Sequence, residues 1–131
     1  MAHWRDFFLE RLEKYSGHKV ESDDDSLTVT CDNEDSFAVS IYETDGGFQV
    51  SFDGWHEEFD ELATAQDCFA FGLSPKCRLK VTLRGNMEHK WTVQSEKPDG
   101  WADDTTTGLL FFPIWQSKRL EYRQNVLPLK T

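Results

Sequence analysis

Three short segments, Leu27-Thr28-Val29-Thr30-Cys31, Phe37-Ala38-Val39-Ser40-Ile41-Tyr42 and Phe48-Gln49-Val50-Ser51-Phe52-Asp53, decide the fold. In each, large apolar side chains alternate with small or polar ones. A period of two sends alternate residues to opposite faces of a strand, so each segment predicts a half-buried strand of an antiparallel sheet. Asp32-Asn33-Glu34-Asp35 and Thr44-Asp45-Gly46-Gly47 supply the turns between them, because Asn, Asp and Gly tolerate turn backbone geometry.

Upstream, Trp4, Phe7, Phe8, Leu12 and Tyr15 recur at the helical spacing. This stripe predicts a helix over 2–16 whose aromatic face packs on the sheet, ended by Gly17. Ser22-Asp23-Asp24-Asp25-Ser26 reads as a loop. Downstream, Thr64-Ala65-Gln66-Asp67 fits a weak capping box with Thr64 as N-cap, and Ser74-Pro75 closes that short helix. Cys77, Leu79, Val81 and Leu83 then alternate with Arg78, Lys80 and Thr82, and His89, Trp91 and Val93 with Lys90 and Thr92. Leu109-Leu110-Phe111-Phe112 is apolar on both faces and reads as a central strand that ends at Pro113. Leu120 and Tyr122 mark a last strand. The order is αβββ-αββββ. The expectation is one α+β domain over 1–131: a twisted antiparallel sheet of about seven strands, with both helices packed on one face.

Composition limits the classes. The chain has 131 residues, 38% hydrophobic and 14% aromatic, which is apolar mass enough to offset ordering entropy and exclude whole-chain disorder. No apolar run reaches the ~20 residues of a membrane span, and Met1-Ala2-His3-Trp4-Arg5-Asp6 has no signal-peptide character. No membrane partner is expected. Cys31, Cys68 and Cys77 show no CxxC and no finger spacing, so the reading is free thiols in a cytoplasmic protein with no disulfide, metal or cofactor.

Charge is the strongest anomaly. From Val20 to Pro75 there is no Lys or Arg, and that stretch holds fifteen of the 24 acids. Its net charge is −15 against −10 for the whole chain, so the rest carries a positive excess. Such a block is either a solvated face that maintains solubility or a docking surface for a basic partner. Nucleic-acid binding is not expected, because phosphate affinity comes from Lys and Arg.

Three groups of residues are candidate sites. The first is Asp53, Trp55, His56 and Glu57, a carboxylate–imidazole cluster beside Gly54. A strand would separate His56 from Glu57, so the expectation is a structural loop anchored by Trp55, with no catalytic residue assigned. The second is Trp101, Asp103 and Asp104, read with the following threonines as a turn-rich segment at a pocket mouth. The third is a basic stripe of Arg78, Lys80, Arg84 and Lys90, which Arg119 and Arg123 extend.

The segments Cys68-Phe69-Ala70-Phe71-Gly72-Leu73-Ser74, Cys77-Arg78-Leu79 and Thr106-Thr107-Gly108-Leu109-Leu110-Phe111-Phe112-Pro113-Ile114-Trp115 resemble small bacterial proteins of uncharacterised function. The resemblance runs over roughly 47–127 and implies no activity or site residue. Two functions therefore stand as expectations. The first is a non-enzymatic interaction protein with an acidic docking surface for a basic protein, or for a second copy through the basic stripe. The second is a small-molecule binding or hydrolytic domain with an aromatic-lined pocket between sheet and helices.

Overall fold

The alternating segments pair as their side-chain period requires, and two further strands join them at the edges. A computed structural model describes residues 3–130. Helix α1 spans His3–Leu12. The first sheet is a meander in the order β1-β2-β3-β4-β5, with β1 at His18–Ser22, β2 at Ser26–Cys31, β3 at Val39–Thr44, β4 at Gly47–Phe52 and β5 at Trp55–Phe59. Helix α2 spans Leu62–Leu73. The second sheet has the order β8-β7-β6-β9, with β6 at Cys77–Arg84, β7 at Met87–Lys97, β8 at Gly100–Gly108 and β9 at Lys118–Arg123. Every pairing is antiparallel. The class is α+β, in two sheets of five and four strands rather than one sheet of about seven.

Each difference from the sequence reading has a local cause. β1 and β5 are edge strands with few apolar positions, Val20 in one and Trp55 and Phe59 in the other, so neither shows alternation. The segment read as a loop around His56 is β5. The segment around Asp103 is β8, another edge strand, polar and rich in β-branched threonine. Leu109–Phe112 is not a strand. The second sheet places β8 and β9 on opposite edges, so residues 109–117 must cross three strand spacings, about 14 Å.

The helices differ in detail too. α1 ends at Leu12, and Tyr15 pairs with Leu129 as an isolated bridge instead of extending the helix. The first residue of the expected helix lies outside the described residues. Trp4, Phe8 and Leu12 are buried, whereas Phe7 is exposed. At about 100° per residue, Phe7 lies on the flank of that stripe. There its ring takes the Arg11 guanidinium at 4.5 Å. In α2 the N-cap is Glu61, without a side-chain cap bond. Thr64 sits inside the first turn, and its hydroxyl donates back to the Glu61 carbonyl at 3.0 Å.

The buried residues of both helices and both sheets form one cluster. α2 presses Ala65, Phe69 and Gly72 inward. A Cβ at Gly72 would come within 2.4 Å of the Phe52 ring, so glycine permits that approach. No helix among the described residues is long and apolar enough to cross a membrane.

Candidate functional site

The Asp53–Trp55 turn between β4 and β5 clasps the two sheets. Asp53 has φ of 51°, a left-handed conformation that Asp tolerates better than most residues. Its Oδ1 accepts the Ala38 N–H at 2.9 Å, and its Oδ2 takes Arg123 of β9 at 2.8 Å. Arg123 also holds Glu88 of β7 at 3.0 Å and Glu121 at 3.1 Å. Burial opposes the Arg123 charge. The bonds to Glu88, Glu121 and Asp53 outweigh it and raise the pKa above that of an ordinary arginine. The bond from Arg123 likewise holds the Glu88 carboxyl below the usual glutamate value. Trp55 is buried and donates its indole N–H to Thr105 of β8 at 3.0 Å.

The first candidate cluster is thus divided. Asp53 and Trp55 serve the clasp. His56 lies on the outer face of the first sheet, in the row of Ser51, and Glu57 lies on the opposite face, in the row of Val50. Both are exposed. Among the described residues no three His, Cys, Asp or Glu side chains are grouped to hold a metal. Burial pushes the thiols of Cys68 and Cys77 up to about 12.

Trp101 and Asp103 of the second group meet Arg78 and Lys80 of the third on the outer face of the second sheet, whereas Arg119 and Arg123 lie in the rows of Leu83 and Leu79 on the opposite face and do not extend the stripe. Arg78 lies between the rings of Trp101 and Tyr122, at 4.6 and 4.3 Å. Its Nε donates to Gln94 at 2.8 Å, Gln94 donates to Asp103 at 2.7 Å, and Lys80 pairs with Asp103 at 3.2 Å. The Gln94 bond, then Lys80, keeps the Asp103 carboxyl below its usual value. Asp104, the extra residue of a bulge in β8, instead accepts the Ser95 hydroxyl at 3.0 Å. Arg78 and Lys80 are therefore engaged within the sheet, whereas Lys90 and Arg84 sit at its far end without a carboxylate partner among the described residues.

That far end carries the feature the sequence misassigned. The connection 109–117 exposes Leu110 at 89%, Phe111 at 86%, Trp115 at 81% and Ile114 at 67%. Its base is fixed. The Leu109 N–H donates to the His89 carbonyl at 2.8 Å, and the Gly85 N–H donates to the Ser117 carbonyl at 2.9 Å. The Phe112 ring stacks on His89 at 4.0 Å. Gly108 and Pro113, which bracket the apolar run, were the sequence signal for a loop rather than a strand.

The acids of the first sheet gather at its ends. β1, β3 and β5 run in the same direction, so Asp23, Asp24, Asp25, Asp45, Asp60 and Glu61 follow strands that end on one rim. All six are exposed. The sheet's outer face is mostly hydroxyl and amide, with Thr28, Ser40, Gln49 and Ser51. A separate groove of about 590 Å³ runs between α1 and α2, walled by Phe7, Phe8, Leu12, Phe69 and Leu73 on its apolar side and by Arg11, Lys14, Gln66 and Asp67 on its polar side. No family model, curated protein or solved structure matches the chain.

Proposed function

We propose that this chain is a non-enzymatic interaction module that captures a basic protein through the acidic rim of its first sheet. The observation that carries this reading is the convergence of Asp23, Asp24, Asp25, Asp45, Asp60 and Glu61 on one end of a sheet. No Lys or Arg lies between Val20 and Pro75, and the fold brings Arg5 of α1 close enough for its charge to reach Asp23. Such a potential speeds and orients the approach of a cationic surface. Asp23 Oδ1 accepts the Asp25 N–H and the Ser26 hydroxyl, both at 2.9 Å, which fixes the turn that presents the three aspartates and lowers the Asp23 carboxyl below its usual value. The three unpaired thiols favour a reducing, cytoplasmic setting.

The test is capture from native lysate by wild type and by the triple variant Asp23→Asn, Asp24→Asn, Asp25→Asn. A basic polypeptide should be held by the wild type and retained several-fold less by the variant. The difference should shrink as salt rises, since the Debye length falls from about 8 to 3 Å. Identical capture at every salt concentration would turn attention to the second reading. There, the groove between α1 and α2 takes a small molecule, a use its volume and its mixed aromatic and polar walls favour.

A further inference from the structure

We infer that residues 109–117 form a finger that docks on an anionic lipid bilayer surface. Four large apolar side chains, Leu110, Phe111, Ile114 and Trp115, stand mostly in water on one loop. Exposed aromatics and leucines grouped this way mark a contact surface rather than scattered surface residues. Nothing in the packing of the fold requires them, because the base of the loop is held by Leu109, Phe112 and Ser117 instead.

The charges around that base say what the finger meets. Arg84 and Lys118 are direct cross-strand neighbours on β6 and β9. Like charges so placed repel. His89, the extra residue of the β7 bulge, lies close to both and to Lys90, and its burial first, then these three charges, lower its proton affinity. None of the three cations has a carboxylate partner among the described residues. The nearby acids are already engaged, Glu88 and Glu121 by Arg123 and Glu121 also by Arg119. Two buried nitrogens at this place, Arg84 Nε and His89 Nε2, have no hydrogen-bond partner. In a chain of net charge −10, an apolar loop is thus footed on cations that lack counter-charges.

An occupant must therefore combine an anionic surface with an apolar interior beneath it. A bilayer with anionic headgroups has that layering, with Trp115 at headgroup depth, Leu110 and Phe111 below it, and Lys90 and Lys118 against phosphate. A finger projecting from a loop needs no matching groove in a fluid bilayer, whereas a folded protein partner would need one. The acidic rim does not forbid the approach, because charges more than about 8 Å from the contact are screened at physiological salt. The expectation of no membrane partner rested on the lack of a spanning segment and of signal-peptide character. Neither bears on this loop.

The experiment is co-sedimentation with phosphatidylcholine vesicles, neutral or containing roughly a third phosphatidylserine. The wild type should pellet with the anionic vesicles. Phe111→Ser with Trp115→Ser should weaken binding by about tenfold or more. Lys90→Gln with Lys118→Gln should weaken it several-fold on anionic vesicles only. All the substituted positions except Phe111 and Trp115 lie outside the finger's tip, and none is in the core, so unchanged melting curves will separate lost binding from lost folding. The Asp23–Asp25 triple variant should still pellet, which keeps this inference independent of the acidic rim. Wild type left in the supernatant, or a serine variant that pellets equally well, overturns the inference. So does a wild-type dimer by light scattering that the serine variant reduces to a monomer, because the finger would then meet a second copy.

Discussion

The turn between β4 and β5 and the connection between β8 and β9 are both rich in aromatic residues, yet one is closed and the other open. Around the first turn, Phe52 and Trp55 are nearly inaccessible to water. Gly54 lies so close to the Trp91 ring of the other sheet that a Cβ would come within 2.2 Å. Around the second, Leu110 and Phe111 face solvent and only Phe112 finds a ring to stack on. The difference is register. Phe52 lies opposite Val39 and Trp55 on the face that meets α2 and the second sheet, so its row is covered. The 109–117 connection leaves the sheet at an edge, where no layer lies above it. Apolar composition predicts burial only where topology supplies a second layer.

The largest effects should fall on the closed turn. Phe52→Ala removes a ring packed against Phe37, Trp55 and Gly72. It should cost about 3–5 kcal/mol in urea or thermal unfolding. Gly54→Ala should cost about 1–3 kcal/mol by forcing Trp91 aside. If Gly54→Ala proved neutral, the two sheets would not be closely apposed at this turn.

An intermediate effect is expected at Arg123, which ties the turn to the second sheet. Arg123→Gln removes charge-assisted bonds to Asp53, Glu88 and Glu121. These carboxylates keep some water contact, so the loss should be about 1–3 kcal/mol rather than that of a sealed pair. The pH dependence has a definite sign. Glu88 is held below its ordinary value of 4.5 in the folded chain, so on acidification the unfolded chain takes up the proton first. The stability from this pair is therefore present above about pH 4.5 and is lost as pH falls through the lower folded value. In Arg123→Gln that acid limb should flatten, as followed by urea midpoints between neutral and mildly acidic pH. An unchanged limb would mean that Arg123 does not set the ionisation of Glu88.

What the sequence disclosed follows the same division. β2, β3, β4, β6 and β7 were legible because their inward residues, such as Val29, Ile41, Val50 and Val81, are fully buried and so enforce alternation. β1, β5 and β8 were not, because an edge strand with one covered face at most tolerates runs such as His56-Glu57-Glu58 or Asp103-Asp104-Thr105. The candidate residues fared likewise. Strand parity separates His56 from Glu57, but the sequence reads as a loop there, so parity could not be applied to it. It gave no hint that Arg78, Trp101 and Tyr122 would stack, since that contact joins three strands whose order is a tertiary fact. Arg123 was visible only as one more cation, because the carboxylates it gathers come from positions 53, 88 and 121.

The smallest effect should fall on the open connection, and it is the sharpest check on the comparison. Leu110 and Phe111 contribute little to the core, so replacing each with serine removes almost no buried apolar area. Surface changes away from caps and networks shift stability by about 0.5 kcal/mol or less. Leu110→Ser and Phe111→Ser should therefore leave the melting temperature within a degree or two, since about 1 kcal/mol corresponds to roughly 4 °C in a chain of this size. They should also raise solubility, because an exposed apolar patch is a liability for non-specific aggregation at high concentration. Phe112→Ser is the internal control. It removes the ring stacked on His89 and leaves the imidazole and the unpartnered Arg84 Nε more open to water. Its melting temperature should fall below those of both neighbours. If instead Phe111→Ser destabilised as much as Phe112→Ser, the finger would be packed in solution, and the contrast between a closed and an open aromatic turn would fail.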